Sequence, residues 1–259
     1  LKKDGRVYTW GLNSYGQLGD GTTTNRKSSV AIQIYDHTNV LTSSGIKYGI
    51  IPDNGNYSFE STGEIVQVAA GSSHTAAVTK DGDLYMWGRN DDGQLGVYTN
   101  VGKNAPVLVN NSTTALPAKS VKYVALGYYH SATITKDGSL YMWGENNYGQ
   151  LGDGTPTDRY TPIKIMDNVA SVSLGNSYSA AITKDGSLYM WGYNDYGQLG
   201  NGTLSSYNPN PVKIMDNVAS VSLGNSHSAA ITKDGSLYMW GKNDDGQLGD
   251  GTSSSFRSK

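Results

Sequence analysis

Apolar and polar side chains alternate along much of the chain, and residues 169–174 show the pattern clearly. There Ala170, Val172 and Leu174 share one side of the chain, and two serines share the other. A period of two predicts a strand, whereas a helix would repeat every 3.6 residues. The connections that follow such segments are rich in Gly, Asn and Asp, which favour tight turns. We therefore predict a succession of short antiparallel strands.

The predicted strands come in groups of four. After residues 169–174, the Ala-rich residues 178–183 predict a second strand, and residues 187–191, apolar on both sides, predict a third. A strand that is apolar on both sides suits a sheet packed between two other sheets. Residues 211–215 predict an outermost strand, because Pro211 could not donate a hydrogen bond inside a ladder. Four antiparallel strands per unit describe a propeller blade, so we predict an all-β β-propeller of four-stranded antiparallel blades.

One motif, Trp-Gly-x-Asn-x-x-Gly-Gln-Leu-Gly, recurs with every fixed position filled, and it contains all five tryptophans. Its copies occupy residues 10–19, 87–96, 143–152, 191–200 and 240–249. A spacing near fifty residues indicates an array of like supersecondary units. We predict that the last four tryptophans end third strands and wedge between blades. Counted by strands, residues 1–259 form a single propeller array of about four and a half repeats: one half blade, three full blades, and one blade lacking its outer strand.

An extra segment at about residues 33–63 interrupts the spacing between the first two motifs and is rich in Tyr, Ser, Asn and Gly. Insertions in repeat arrays fall on loops, which either carry function or are tolerated surface segments. Both interpretations stay open. The two chain ends do not match as the halves of one blade, so we expect a piece of a larger propeller or an irregular closure. Open blade edges would also allow self-association.

The motif follows a second pattern, Gly-x-x-His-(Ser/Thr)-x-x-(Ile/Val), at residues 71–78 and 224–231. Together the two patterns resemble the regulator of chromosome condensation repeat, and the resemblance covers nearly the whole chain outside the insertions. It implies a propeller, typically of seven blades. It does not imply one activity, since the family includes a nucleotide-exchange factor for a small nuclear GTPase, a plant UV-B photoreceptor and secreted bacterial inhibitors of β-lactamases.

The photoreceptor's tryptophan cluster corresponds to four positions that lack tryptophan here, so the resemblance does not extend to light sensing. Those positions are Ser73, Tyr129, Ser177 and Ser226.

Composition excludes several functions. The formal net charge is −2, which argues against a nucleic-acid-binding protein. There is no cysteine for a disulfide or a Cys-based zinc site, and no apolar run approaches the length of a membrane span. The acidic turns at residues 90–93 and 243–246 lack the ligand spacing of a calcium loop. Since no nucleophile elbow or convergent carboxylate pair appears, we predict no catalytic residue, cofactor or metal site.

Candidate binding residues lie on the turns between the first and second strands, which should emerge on one face. They are Ser73, His74, Tyr128, Tyr129, His130, Tyr178 and His227. Three of these are histidines at one repeat position that Tyr178 fills elsewhere, which favours a ring packed between blades over a metal ligand. In the inhibitors that the family resembles, aromatic residues at these turns contact the partner, and Tyr128 and Tyr129 match best. The alternative is that both are ordinary exposed tyrosines.

We therefore predict a non-enzymatic binding or scaffold propeller that mediates protein–protein or surface-ligand interaction. The alternative is a regulator of a partner enzyme, either a GTPase through nucleotide exchange or a hydrolase through inhibition. Residues 164–192 and 213–241 differ only by Tyr178 against His227, which indicates a recent duplication. Such near-identical repeats resemble bacterial surface or secreted proteins. We expect an extracellular or cell-surface location in a bacterium, with a cytoplasmic location as the alternative.

Overall fold

The computed structural model describes residues 1, 6–32, 34, 64–111, 113–253 and 256–258. The insertion predicted at residues 33–63 lies outside the described residues except for Ile34, so neither interpretation of it is tested. Across the described residues the chain forms strands, turns and loops without a helix. The predicted all-β fold is confirmed.

The strands follow one another in chain order with short connections. Their bounds are β1 Val7–Gly11, β2 Arg26–Ile32, β3 Ile65–Ala70, β4 His74–Thr79, β5 Leu84–Gly88, β6 Lys103–Leu108, β7 Val121–Leu126, β8 His130–Thr135, β9 Leu140–Gly144, β10 Arg159–Met166, β11 Val169–Leu174, β12 Tyr178–Thr183, β13 Leu188–Tyr193, β14 Tyr207–Met215, β15 Val218–Leu223, β16 His227–Thr232, β17 Leu237–Lys242 and β18 Phe256–Arg257.

These strands form antiparallel sheets, each built from consecutive strands. Blade 1 is β1–β2, blade 2 is β3–β6, blade 3 is β7–β10, blade 4 is β11–β14 and blade 5 is β15–β18. The first strands of blades 2 to 5 contact one another in sequence, so they form the inner edge of the array. The fourth strand of each of blades 2 to 5 lies at the opposite, outer edge, as the proline in residues 211–215 predicted.

Blade 5 corrects one prediction, because we expected it to lack an outer strand. The two residues of β18 pair with the end of β17, Gly241 with Arg257 and Lys242 with Phe256. This pairing is too short to leave a hydrophobic pattern in the sequence, so the prediction missed it.

A β-bulge in the first strand of each full blade corrects a second prediction. In β11, Val169 pairs with Thr183 but Ser171 pairs with Ile182, which leaves Ala170 as the extra residue. Ala170 is therefore exposed and does not share the buried side of Val172. The same shift occurs in the first strands of the other full blades.

Each motif forms a compact loop after the third strand, organised by a buried asparagine. The Asn90 side-chain oxygen accepts a hydrogen bond from the Leu95 backbone N–H at 2.8 Å. In the other four motifs the leucine N–H likewise donates to the asparagine side-chain oxygen, at 2.9–3.0 Å. The loop thus satisfies its own backbone and delivers a buried leucine, such as Leu95 or Leu151, to the core.

The hydrophobic core lies between blades. Trp143 of blade 3 is fully buried against Leu84, Met86 and Leu95 of blade 2, and the pattern repeats at the next two interfaces. Its indole N–H donates to the Gln94 backbone oxygen of blade 2 at 2.9 Å. The equivalent bonds at the other interfaces measure 2.8–2.9 Å. The predicted wedging of the last four tryptophans is confirmed.

The last glycine of the first four motifs leaves room for the tryptophan ring of the next blade. A β-carbon on Gly96 would lie 2.8 Å from the Trp143 indole nitrogen, and the φ of 73° at Gly96 also favours glycine. The sequence therefore fixes both sides of the interface, since the tryptophan of one blade needs the glycine of the preceding motif.

The tryptophans provide a matched test of this packing. Trp143→Ala should lower the free energy of unfolding by about 3–5 kcal/mol, because it removes a fully buried side chain and its hydrogen bond. Trp10→Ala, at the same motif position but 64% exposed, should change it by about 0.5 kcal/mol or less. Urea unfolding monitored by far-UV circular dichroism measures both. Similar losses for the two variants would contradict the interface described above.

Candidate functional site

The turns after the first strands and the motif loops lie at the same end of the blades. In blade 2, His74 at the start of β4 pairs with Gly88 at the end of β5, so both connections leave from that end. The same pairing joins His130 to Gly144 and Tyr178 to Gly192. We call this end the turn face, and it carries all the predicted site residues.

Burial separates the predicted residues into two groups. His74, His130 and Tyr178 have at most 1% of their surface exposed, so their rings are buried in this structure. They begin second strands and point into the blade interfaces. His227 and Ser73 are half-buried, while Tyr128 is exposed and Tyr129 is partly exposed. Whether these remaining residues bind a partner stays a prediction.

The two buried histidines connect successive blades. His74 Nε2 lies 3.0 Å from the Ser131 hydroxyl, and that hydroxyl donates to the Gln94 backbone oxygen at 2.8 Å. Because Ser131 has used its single proton, the histidine must donate, so its proton is on Nε2. His130 repeats the arrangement with the Ser179 hydroxyl at 3.0 Å. These rings are structural links, as the exchange with tyrosine indicated.

Tyr178 forms the equivalent link in blade 4. Its hydroxyl donates to the His227 backbone oxygen at 2.6 Å, and the Ser228 hydroxyl lies 3.3 Å away. Burial raises the pKa of Tyr178 above its usual range, so the phenol remains neutral. A histidine and a tyrosine can occupy this repeat position because both bring a neutral donor to the next blade.

Burial lowers the pKa of His74 to about 4 and that of His130 to about 3. In each ring Nδ1 has no hydrogen-bond partner among the described residues. A proton added there would place a charge in a sealed interface. Both histidines are therefore neutral near pH 7 and unsuited to acid–base chemistry on a substrate.

Tyr128 and Tyr129 form an exposed pair at the turn of blade 3. Their ring centroids are 4.4 Å apart with the planes at 72°, an edge-to-face arrangement. The Tyr128 backbone is held from both sides, because the Ser72 hydroxyl donates to its oxygen at 2.8 Å and its N–H donates to the Gly175 oxygen at 3.3 Å. The pair is therefore a fixed feature of the surface.

Arg89 of blade 2 joins this pair to blade 1. Its guanidinium carbon lies 4.2 Å from the Tyr129 ring centroid and 5.6 Å from that of Tyr15. The Arg89 side chain also pairs with Asp91 at 2.8 Å. We call Tyr15, Arg89, Tyr128 and Tyr129 the tyrosine patch. Sequence reasoning missed Arg89, because its partners lie far away along the chain.

Tyrosines of the motif loops continue this row toward blade 5. The Tyr148 and Tyr193 centroids are 4.9 Å apart across the interface of blades 3 and 4. The Lys242 amine of blade 5 lies 5.7 Å from the Tyr196 ring. These contacts cross blade interfaces, yet Tyr148 is 41% exposed. Aromatic surface therefore extends along the turn face.

Acidic groups border the tyrosine patch. Asp92 lies 3.4 Å from the Arg89 guanidinium, and the Glu145 backbone N–H donates to the Tyr129 oxygen at 3.0 Å. Burial, followed by repulsion from Asp92, raises the pKa of Glu145 and of Asp158. No group of three or more His, Asp or Glu residues suited to a metal is present in the described part of the chain. The carboxyl groups of Asp92, Glu145 and Asp158 make the border of the patch acidic.

Tyr98 is a second feature that sequence reasoning missed. Its φ is 63°, whereas the other four repeats place a glycine with φ of 76–79° here. A bulky residue in this region is strained, and such strain clusters at functional sites. Tyr98 is 62% exposed and its N–H donates to the Tyr160 oxygen at 3.1 Å. The signal was visible as Gly-Val-Tyr-Thr in place of Gly-Asp/Asn-Gly-Thr.

Comparison with known proteins gives one family. The RCC1-like domain model matches residues 1–259. The ultraviolet-B receptor UVR8 of Arabidopsis thaliana is 35% identical over 159 residues, which are 61% of this chain and 30% of the receptor. None of the described segments contains a helix able to span a membrane.

Two solved structures share the fold. Human WBSCR16 matches 98% of this chain and 61% of its own, with a TM-score of 0.76 and 25% identity. Yeast RCC1 (Prp20), solved bound to Kap60, matches 98% and 57% with a TM-score of 0.71, and its 24% identity shows the fold alone. The chain thus spans less than two thirds of each protein. All three of these proteins come from eukaryotes. The bacterial origin that we expect is not shown by these matches and stays a prediction.

The buried histidines make stability depend on pH. Their folded pKa values lie below the unfolded value of about 6.5, so the stability that depends on these two neutral histidines is fully present above pH 6.5 and is lost as pH falls toward about 4 for His74 and about 3 for His130. We expect His130→Tyr, which copies Tyr178, to remove the His130 share of this loss, which is about 3 kcal/mol near pH 4.

Urea unfolding between pH 7 and pH 4 gives the free energy of unfolding of the wild type and of His130→Tyr. The difference between the two proteins isolates the histidine, because the carboxylates are the same in both. Tyr178→His is the matched control and should steepen the loss. If the free energy of unfolding changed with pH in the same way for all three proteins, the conclusion that the interface histidines are neutral would be wrong.

Proposed function

The chain belongs to the RCC1-like domain family, and we propose that it is a non-enzymatic binding propeller whose turn face contacts a protein partner. One observation carries this proposal. The turn of blade 3 presents two tyrosines where the equivalent turns carry serine or asparagine, namely Ser72–Ser73, Asn176–Ser177 and Asn225–Ser226. The turn itself does not require this difference, since the opening glycine of all four turns donates to the backbone oxygen three residues later whether tyrosine, serine or asparagine lies between.

The tyrosine patch has the physical character of a binding centre. Tyrosine offers a large contact area with few rotatable bonds, and binding hot spots are enriched in Tyr and Arg. The Tyr128 backbone is already fixed by Ser72 and Gly175, and Arg89 already stacks on Tyr129. Little conformational entropy would then be lost on binding, which favours affinity.

Charge suggests the chemistry of the partner. Asp91 is exposed beside Arg89, while Asp92 and Glu145 border the patch. We propose a partner surface with an apolar or aromatic centre and basic groups around it. The formal charge of −2 and the acidic border speak against a nucleic acid as that partner.

Several observations support a function without catalysis. The titratable rings of His74 and His130 are sealed between blades and hydrogen-bonded to structural hydroxyls. The carboxylates near the patch have raised pKa values, but no nucleophile lies within a described hydrogen bond of them. The arrangement can present a surface more readily than it can bind and convert a substrate.

We also propose that the protein is located outside the cell or at the cell surface of a bacterium. Its support is the near-identity of residues 164–192 and 213–241, which indicates recent duplication and resembles repeat-rich surface proteins.

Substitution of the exposed pair tests the proposed surface. Tyr128→Ala with Tyr129→Ala should weaken binding of the purified partner about 30-fold or more, because hot-spot residues contribute about 2 kcal/mol or more. Tyr207→Ala, a similarly exposed tyrosine on the outer strand β14, should change affinity less than about twofold. A photo-crosslinking residue placed at position 128, and at position 207 as control, identifies the partner before calorimetry. Equal affinities for the double variant and the wild type would contradict the proposal.

The alternative function is regulation of a partner enzyme, a GTPase or a hydrolase. With the crosslinked partner in hand, release of a fluorescent nucleotide and hydrolytic turnover can be followed with and without the chain. A binding scaffold should leave both rates unchanged at saturating concentration. Two results would favour the regulator over the scaffold. One is faster nucleotide release in the presence of the chain, and the other is inhibition of hydrolysis by the wild type but not by the double tyrosine variant.

A further inference from the structure

The glutamine side chain of the motif has two hydrogen-bonding roles inside its own loop. Its amide oxygen accepts the backbone N–H of the residue two positions earlier, at 2.9–3.0 Å in all five motifs. In blades 2, 3 and 5 its amide nitrogen donates to a carboxylate of the same loop. These bonds run from Gln94 to Asp92 at 3.4 Å, from Gln150 to Glu145 at 3.1 Å and from Gln247 to Asp245 at 3.1 Å.

The motif of blade 4 has no carboxylate at either of the positions that supply it in those blades. Both positions carry tyrosine, namely Tyr193 and Tyr196. Gln198 is fully buried, and its amide oxygen accepts the Tyr196 N–H at 3.0 Å. Its amide nitrogen has no hydrogen-bond partner among the described residues. Because a buried donor without an acceptor is costly, the Gln198 amide favours any group that supplies one.

The loop of blade 4 is otherwise held like the loops of the other blades. The Gln198 backbone oxygen accepts the Trp240 indole N–H and the Ser228 hydroxyl of blade 5, both at 2.8 Å. Blade 4 also lies between two other blades, so the missing acceptor does not arise at an end of the chain. The difference therefore comes from the two tyrosines and not from a displaced loop.

Aromatic rings surround this loop on the turn face. The Tyr193 ring centroid lies 4.9 Å from that of Tyr148 in blade 3 and 6.3 Å from that of Tyr196. Tyr193 and Tyr196 are both half-buried. Side chains at these two positions meet the glutamine amide in the other blades, so rotation of the Tyr196 ring toward solvent would open the amide of Gln198 to a ligand.

The charges near the loop are compatible with an incoming carboxylate. The Lys242 amine of blade 5 lies 5.7 Å from the Tyr196 ring centroid and 3.5 Å from Asp244. The loop's own acidic group, Asp195, accepts the Tyr193 hydroxyl at 2.9 Å. Blades 2 and 5 hold a carboxylate at the Tyr196 position directly after an equivalent aspartate, so such a neighbour does not exclude one.

From the buried donor without an acceptor and the rings around it, we propose that the motif loop of blade 4 binds the carboxylate of an Asp or Glu side chain presented by a protein partner. The carboxylate takes the place that the chain's own carboxylates hold in blades 2, 3 and 5, and it accepts a hydrogen bond from Gln198 Nε2. A charged acceptor makes a stronger bond than a neutral one, and the Lys242 amine attracts the same group.

This proposal rests on the proposed function in one respect, because the loop lies on the turn face. It adds an acidic group, facing blade 4, to a partner that carries basic groups around the tyrosine patch. The two contacts use different residues, so either can fail without the other.

Side-chain amide signals in proton–nitrogen NMR spectra of the ¹⁵N-labelled chain test the contact. The probe is the capped tripeptide acetyl-Ala-Glu-Ala-amide, and its neutral match has glutamine in place of glutamate. The glutamate peptide should shift the Gln198 amide signals in a saturable manner, and the glutamine peptide should bind more weakly. The amides of Gln94, Gln150 and Gln247 already donate to carboxylates and serve as internal controls that should not respond.

Two substitutions at one position separate a carboxylate site from simple aromatic contact. Tyr196→Asp copies blades 2 and 5 and supplies the chain's own acceptor, so the response to the glutamate peptide should be lost. Tyr196→Ala removes the same ring without supplying an acceptor, so the response should remain. The variant Tyr128→Ala with Tyr129→Ala should respond like the wild type, which separates this proposal from the one on the tyrosine patch.

Urea unfolding without peptide provides an independent measurement. Tyr196→Asp should unfold at a higher urea concentration than Tyr196→Ala near neutral pH, because only the aspartate satisfies the buried amide. Unshifted Gln198 signals in the wild type, equal affinity for the two peptides, or an undiminished response in Tyr196→Asp would overturn the proposal. It would also be overturned if Tyr196→Asp were no more stable than Tyr196→Ala.

Discussion

The hydrogen bond from a tryptophan indole to a glutamine backbone oxygen of the preceding blade is the contact on which the array depends. It recurs at four interfaces with lengths of 2.8–2.9 Å. A serine or threonine hydroxyl of the same incoming blade donates to the same oxygen at 2.8 Å. The motif loop must hold this oxygen in place for both donors. The hydrogen bond from the leucine N–H to the buried asparagine fixes the loop in that position. Each blade completes the core of its neighbour, so stability accumulates from one interface to the next.

Much of the fold could be predicted from sequence because its determinants are local or periodic. Strand alternation, glycine-rich turns and a fully repeated motif gave the blades and the burial of Trp87, Trp143, Trp191 and Trp240. The bulge that exposes Ala170 was not predicted, because a single extra residue leaves the alternation of apolar and polar residues nearly unchanged. The strand Phe256–Arg257 was not predicted, because two residues are too few to show an alternating pattern.

The candidate site was less predictable because it depends on contacts between blades. The exchange of histidine for tyrosine indicated a structural ring, yet the depth of burial at His74 and His130 follows from the approach of the next blade. Arg89 reaches Tyr129 across forty residues of sequence, and no local pattern pairs them. Tyr98 could have been found, since it replaces a glycine that every other repeat keeps. The irregular positions therefore carry the surface chemistry, and the regular ones carry the fold.

The central claim is that Trp87, Trp143, Trp191 and Trp240 are buried between blades, where each indole donates to a glutamine backbone oxygen, whereas Trp10 is 64% exposed. Hydrogen exchange of the ¹⁵N-labelled indole groups in dilute protein tests it most directly. Four indole N–H signals should exchange slowly, and the signal of Trp10 should exchange near the rate of a free indole. If Trp143 or Trp191 exchanged as fast as the exposed Trp10, the account would be wrong.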